Sequence, residues 1–422
     1  MIIAGGMGSR LVKSGFNRPK SLISVNGQTL IDTQLDFLVK HGFKRVYVAL
    51  GYGSNEILDH LARRPISLET EIILVVEDEV RGTGGALLGL KNYIKGDTFV
   101  IYGDVLVDIY MDRILKGNQD SIASIITRRS NHPSDSDLVE VNHERKLLFF
   151  HSKPHKGKVQ VRNIAATGIF IFSPNSLHKL SIKFGSSSFN LEREGVMYLL
   201  SCGDSIATIP AIGMVQDLGT IERMQAADEI WQLHQASPKK WPAIFLDRDG
   251  TINYSKGYIS KVSEFVLYED APEAIARLRK QGYLVFVVTN QPVIARGEAS
   301  WGHLEEIHFR LDEILEETAD TFVDEIFICP HHPDTGFVGE VFALKCDCNC
   351  RKPKTGLIER CLEDYPVDLS RSWVVGDSWR DFELAEKLNI NFAAVRNDKL
   401  KFGDIKFFWE LPDFVDFVEG EN

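Results

Sequence analysis

Two carboxylates one residue apart close an apolar run in Phe245-Leu246-Asp247-Arg248-Asp249-Gly250-Thr251. On a strand, side chains at i and i+2 share a face, and Gly250 lets the chain turn away beyond them. One such carboxylate can attack phosphorus if a cation suppresses the repulsion, and the other can protonate the leaving oxygen. The remaining groups follow in order. Thr289-Asn290-Gln291 offers hydrogen-bond donors for a phosphoryl group, Arg351-Lys352-Pro353 offers cations, and Gly376-Asp377-Ser378 ends an apolar run with a carboxylate for a metal ion. Between them lie Cys329-Pro330-His331 and Cys346-Asp347-Cys348-Asn349-Cys350. Cys-x-His followed by Cys-x-Cys supplies the four soft and borderline donors of a closed tetrahedral Zn²⁺ site. Cys329, His331, Cys348 and Cys350 are the preferred set, with Cys346 able to replace Cys348.

A second group of residues, near the start, suits nucleotide chemistry. Gly5, Gly6 and Gly8 follow a short apolar run, where backbone N–H groups can approach phosphate oxygens without a Cβ in the way. Arg10 and Lys20 add the fixed positive charge that a departing pyrophosphate requires. Gly82-Thr83-Gly84 forms another small-residue loop, open enough for a flat base. Asp104 ends the run Thr98–Tyr102, and Asp217 lies far along the chain. As hard oxygen donors the two suit Mg²⁺ beside substrate phosphates, although each alone reads more readily as a turn or cap residue.

The elements that must position these groups alternate. Ile2–Ala4, Arg45–Leu50, Ile72–Val76 and Thr98–Tyr102 read as strands, and Thr29–His41, Asn55–Leu61 and Gly85–Tyr93 as helices. This pattern predicts a mostly parallel, helix-covered sheet with ligands at the carboxyl ends of its strands. An amphipathic stretch, Glu222–Gln235, is followed by a linker over 236–242 that contains Pro238 and Pro242. The alternation then restarts with Ala243–Leu246, Leu284–Thr289, Glu325–Ile328, Ser372–Val375 and Asn391–Val395, interleaved with helices at Pro272–Gln281, Ser300–Thr318 and Trp379–Leu388. The expectation is α/β throughout: two doubly wound domains, 1–235 and 243–422. With 422 residues and a formal charge of −11, the chain lacks the basic footprint of a nucleic-acid or anionic-membrane binder. It also has no apolar run long enough to span a bilayer and no leader pattern at Met1, so small-molecule substrates and a cytoplasmic location are expected. The sequence does not indicate an oligomeric state.

In its motif order the first half resembles the sugar-nucleotidyltransferase family, particularly guanylyltransferases acting on D-glycero-α-D-manno-heptose 1-phosphate and mannose 1-phosphate. The resemblance implies a Rossmann-like fold. It implies that Gly5, Gly6, Gly8, Arg10 and Lys20 lie on a nucleoside triphosphate, that Gly82, Thr83 and Gly84 lie at the base, and that Asp104 and Asp217 hold Mg²⁺. Lys153 would hold the sugar phosphate and Glu192 would lie near the sugar hydroxyls. The second half is similar to the haloacid-dehalogenase (HAD) phosphatase superfamily, which implies a HAD-like fold. Asp247 would be the nucleophile and Asp249 the general acid, then base. Thr289 and Lys352 would be phosphate ligands. Asp247, the Asp249 carbonyl and Asp377 would hold Mg²⁺, with Asp381 behind them. The zinc loop, Asn290-Gln291 and Ile294-Ala295-Arg296-Gly297 narrow the likeness to heptose 1,7-bisphosphate phosphatases, ahead of histidinol-phosphate phosphatases, with Arg351 on the phosphate that is kept. Removing the distal phosphate of a sugar 1,7-bisphosphate gives a sugar 1-phosphate, the substrate class of the first half. The implied whole is a bifunctional enzyme of NDP-heptose synthesis. Its rivals are the same pair of activities on another sugar, such as mannose, and a sugar-nucleotide sensor without turnover.

Overall fold

Apolar runs that alternate with amphipathic segments build two sheets, each with its own core. The structure, a computed structural model, describes residues 1–6, 18–64, 69–116, 120–130, 133–155, 161–236, 240–255 and 257–421. It divides into two compact units, Met1–Ser237 and Pro238–Asn422.

The first unit is built on a nine-stranded sheet. Its parallel half centres on Ile2–Ile3, whose buried side chains lie between Thr98–Tyr102 and Arg45–Leu50, with Glu71–Val76 beyond. The helices Leu30–Lys40 and Ser54–Leu61 contribute Ile31, Leu35, Leu38 and Ile57 to the core on this half. The other half is mostly antiparallel. Ala165–Phe172 pairs with Thr98–Tyr102 on one side and with Ala123–Arg128 on the other, and Leu138–Val141 and Leu147–His151 form an outer hairpin. The sheet is therefore mixed, not parallel through most of its width as the βα alternation suggested. Ile206–Pro210 completes it in parallel with Ala123–Arg128, after the helices Pro174–Phe184 and Met197–Ser201, whereas the hairpin of Leu138–Val141 and Leu147–His151 needs no crossover helix. A separate ribbon joins Val105–Ile109 to Gly213–Asp217. The helix expected at Gly85–Tyr93 runs instead from Gly82 to Gly89.

The second unit has six parallel strands in the order Glu325–Cys329, Leu284–Asn290, Ala243–Leu246, Trp373–Gly376, Asn391–Val395 and Lys406–Phe408. The helices Ala271–Lys280, Trp301–Ala319 and Leu411–Glu421 bury Ile275, Leu278, Ile307, Leu311, Phe414 and Val418 against Ile244, Leu246 and Val375. The strand Lys406–Phe408 and the helix that follows it were not among the expected elements. All six strands run the same way, so the catalytic motifs fall at one edge of the sheet.

Candidate active sites

In the second unit, the strands Ala243–Leu246 and Trp373–Gly376 lie side by side, and the Asp247 N–H donates to the Val375 carbonyl at 2.9 Å. This brings Asp247 and Asp377 together at the carboxyl edge. Asp381, in the first turn of the helix Trp379–Leu388, joins them: one carboxylate oxygen from each of the three lies within 4.8 Å of the others. The Asp381 carboxylate also accepts from the Ser378 N–H and hydroxyl at 3.2 and 2.5 Å. Lys352 lies between two of these acids, with Nζ 2.8 Å from Asp247 Oδ1 and 2.6 Å from Asp381 Oδ1. Burial, with the charges of Asp381 and Asp249, pushes Asp247 up to about 7 against the pull of Lys352. Burial and Asp381 raise Asp377 to about 6. Lys352 is held above its ordinary value: burial opposes its charge, but Asp247 and Asp381 outweigh it. Hard oxygen donors in excess over one ammonium fit a divalent ion such as Mg²⁺.

Gly250 makes this proximity possible. Its φ is +88°, and a Cβ there would lie 2.1 Å from Asp377 Oδ2. Asp249 turns its carboxylate elsewhere. It accepts from Arg248 Nε and Nη2 at 3.0–3.1 Å, from Asn253 Nδ2 at 3.1 Å and from Gln291 Nε2 at 2.7 Å. The Arg248 side chain is fully buried and makes three donations to this one acid. Gln291 Nε2 also donates to Thr289 Oγ1 at 2.9 Å. Asn290 was read as a phosphate donor. Here its amide donates to the Lys352 carbonyl at 3.1 Å and accepts from the Lys352 N–H at 3.0 Å, which fixes the cation's backbone. Arg351 Nη1 donates to the His331 carbonyl at 3.2 Å.

The soft-donor set converges as well. Cys329 Sγ lies 3.6 Å from Cys348 Sγ and 3.7 Å from His331 Nδ1, and Cys350 Sγ lies 3.3 Å from Cys348 Sγ and 3.2 Å from His331 Nδ1. All four donor atoms lie within 4.8 Å of one another, as tetrahedral coordination demands. Hydrogen bonding from Cys329 draws the Cys350 thiol down to about 5 despite burial, while the same sharing and burial push the Cys329 thiol up. Cys346 is exposed and outside the set.

In the first unit, the ribbon register pairs Asp217 with Val105, and the Leu218 N–H donates to the Asp104 carbonyl at 2.8 Å. Both aspartates thus line one cavity of about 520 Å³, together with Lys20, Thr83, Lys153 and Glu192. Lys20 Nζ is 2.8 Å from Asp104 Oδ2, and Arg223 Nη1 is 2.5 Å from Asp217 Oδ1. Burial pushes Asp217 up, yet the charges of Arg223, Lys153 and Arg128 together hold it below the ordinary range. Glu192 sits in a wide helical turn, Leu191–Val196, of the π type that recurs at functional sites. Burial, with Asp137 and Asp104, raises it to about 8.

Gly82 and Gly84 lie against Phe189. A Cβ at Gly84 would lie 2.1 Å from the Phe189 ring, and one at Gly82 would lie 2.6 Å from the Phe189 carbonyl. They admit a neighbouring segment of the chain, and between them Thr83 Oγ1 accepts from the Leu191 N–H at 2.9 Å. Gly5 packs against Gly51 and Glu77, and Gly6 is open. Gly8 and Arg10 fall outside the described residues. Arg128, Asp137 and Arg223 belong to this site, yet no motif announced them.

Residues 1–230 match the nucleotidyl transferase family, and residues 349–416 match a HAD-hydrolase-like family. Over 183 residues the chain is 38% identical to a D-glycero-beta-D-manno-heptose-1,7-bisphosphate 7-phosphatase of Haemophilus ducreyi, which covers 43% of the chain and 98% of that protein. The Pseudomonas aeruginosa enzyme of the same name is 41% identical over 157 residues, covering 37% of the chain and 82% of that protein. Among solved structures, HddC from Yersinia pseudotuberculosis superimposes with a TM-score of 0.46 at 22% identity, covering 55% of this chain and 97% of its own.

Proposed function

The chain belongs to the nucleotidyl transferase family in its first half and to the heptose-bisphosphate 7-phosphatase family in its second, and on that footing we propose that it carries two consecutive steps of NDP-heptose synthesis. The second half removes the 7-phosphate of D-glycero-D-manno-heptose 1,7-bisphosphate. The first half joins the resulting heptose 1-phosphate to a nucleotidyl group, GMP from GTP, and releases pyrophosphate. The observation that carries this reading is the cluster of Asp247, Asp377 and Asp381 around Lys352, next to a tethered Asp249.

In the hydrolytic half, Asp247 attacks phosphorus and the bond to the C7 oxygen breaks. Asp249 gives that oxygen its proton, then takes one from the water that cleaves the aspartyl phosphate. Lys352 offsets negative charge on the phosphoryl oxygens, and Gln291 fixes Asp249 and Thr289 relative to each other. In the transferase half, an oxygen of the sugar 1-phosphate attacks the α-phosphorus in line and pyrophosphate leaves. Lys153 steadies the sugar phosphate, Lys20 stands on the leaving side, and Glu192, protonated at neutral pH, donates to a sugar oxygen. Asp247, the Asp249 carbonyl and Asp377 would hold Mg²⁺ in one half, and Asp104 and Asp217 in the other. In both, the ion supplies charge neutralisation on phosphate oxygens. Cys329, His331, Cys348 and Cys350 would hold structural Zn²⁺. No helix among the described residues is long and apolar enough to cross a membrane, and we read the enzyme as cytoplasmic, with small-molecule substrates only.

The test is one panel. Each anomer of the heptose bisphosphate is supplied with GTP, ATP, CTP or UTP, and the nucleotide sugar is identified by mass. GDP-heptose together with inorganic phosphate is expected. Release of phosphate with no nucleotide sugar from any combination would sink the coupled reading, and a nucleotide sugar from mannose 1-phosphate alone would redirect it.

A further inference from the structure

The cavity of the first unit holds a cation that no motif singled out. Arg128 ends the strand Ala123–Arg128 and pairs in register with Ala165, and both residues line the cavity. The other cations nearby are engaged. Lys20 holds Asp104, Lys153 Nζ donates to the Asp135 carbonyl at 2.9 Å, and Arg223 spans Asp217 and Asp135 at 2.5 and 3.2 Å. The Arg128 guanidinium makes no hydrogen bond among the described residues. Burial lowers its hold on its proton; Asp217 opposes that effect and Arg223, a like charge, adds to it. A desolvated guanidinium beside a second cation, with the nearest carboxylate already taken, is short of negative charge.

We propose that Arg128 is a phosphate ligand for the acceptor substrate and, with Lys153, clamps the phosphate of the sugar 1-phosphate whose oxygen attacks the nucleotide. This rests on the transferase reading above and adds to it a residue and a subsite. The assignment to the acceptor follows from topology. Arg128, Ala165 and Ala166 belong to the antiparallel half of the sheet, and the Lys153 N–H donates to Asp137 Oδ1 at 2.8 Å on the same wall. Gly5 and Gly6 follow Ile2–Ile3, in the parallel half. The backbone N–H groups that follow Ile3 and the cations of this wall would therefore meet different phosphates. A guanidinium presents two parallel N–H donors to two phosphate oxygens, which a lysine cannot imitate.

The experiment compares the unaltered full-length chain with R128Q and R128K. Pyrophosphate release is followed while D-glycero-D-manno-heptose 1-phosphate and GTP are varied in turn. R128Q is expected to raise KM for the sugar phosphate about tenfold or more, the worth of a charge-assisted contact, and to leave KM for GTP within twofold. R128K should fall between. A KM for GTP within twofold, with an unchanged melting transition of the first unit, checks that this unit is intact. A sugar-phosphate KM that stays within twofold, or an equal rise for both substrates, overturns the inference. If R128Q turnover is too slow to measure, titration calorimetry with heptose 1-phosphate decides: weakened binding supports the inference and unchanged binding overturns it. An unaltered chain that releases no pyrophosphate would remove the transferase reading itself, whereas undiminished release by R128Q would remove only the role of Arg128.

Discussion

A Cβ added at Gly250 would strike Asp377 Oδ2 at 2.1 Å on a backbone whose φ is +88°. The clash and the disfavoured backbone act together, so Gly250→Ala should displace Asp377 by tenths of an ångström or more. Displacements approaching 1 Å cost about 100-fold in rate. A loss of that order in bisphosphate hydrolysis is expected, with pyrophosphate release unaffected; hydrolysis within threefold of the unaltered chain would contradict the geometry. Titration gives a second expectation. Asp247 and Asp377 are held near 7 and 6 in the metal-free protein, so at low pH they keep protons that a divalent ion must displace. Both are acids with raised values, so the deprotonated, ion-binding form gains as pH rises. The affinity for Mg²⁺ should therefore strengthen from pH 5.5 to 7.5, as calorimetry would show, and a flat profile would argue against these groups as ligands. At this scale the sequence reveals much. Asp247, Asp249 and Asp377 stand in short strings at strand ends, where spacing alone gives orientation. The closeness of Phe189 to Gly82 and Gly84 was not legible, because the two stretches lie far apart in the chain.

Among the elements, the stretch from Cys329 to Gly356 has little apolar support. Leu344 packs against the small cluster of Val293, Ile294 and Leu304, while Val338 and Phe342 are exposed. The sulfur and imidazole donors must then supply most of its order, and Cys350 stands two residues before Lys352. Cys348→Ser should lower the metal content below one zinc per chain. It should also reduce hydrolysis about 10- to 100-fold, the usual cost of loosening the support of a metal centre, and speed hydrogen exchange over 329–356. Full activity in a demonstrably zinc-free protein would refute the link. The strands and helices of the second unit were legible because a parallel sheet buried on both faces reads as repeated apolar runs. The antiparallel half of the first sheet was not. Its strands pair out of chain order, and Arg128 meets Ala165 only through long-range pairing. The cavity wall they build was hidden for that reason.

The molecule as a whole keeps its two chemistries on separate sheets. Asp247→Asn should abolish hydrolysis by at least about 1000-fold, as expected when a nucleophile is removed, while transfer onto supplied heptose 1-phosphate persists. Asp104→Ala should do the converse. Coupled assays that measure phosphate and pyrophosphate in the same tube would show it, and loss of both activities in either variant would contradict it. The separation also extends to the cores. Ile244, Val287 and Phe414 pack in one cluster, and Val100, Phe170 and Leu199 in another, each drawn from a single unit. Two independent cores need not melt together. Differential scanning calorimetry should then resolve two endotherms, with GTP moving only one of them upward, and brief heating between the two midpoints should leave a chain that performs one of its reactions and not the other.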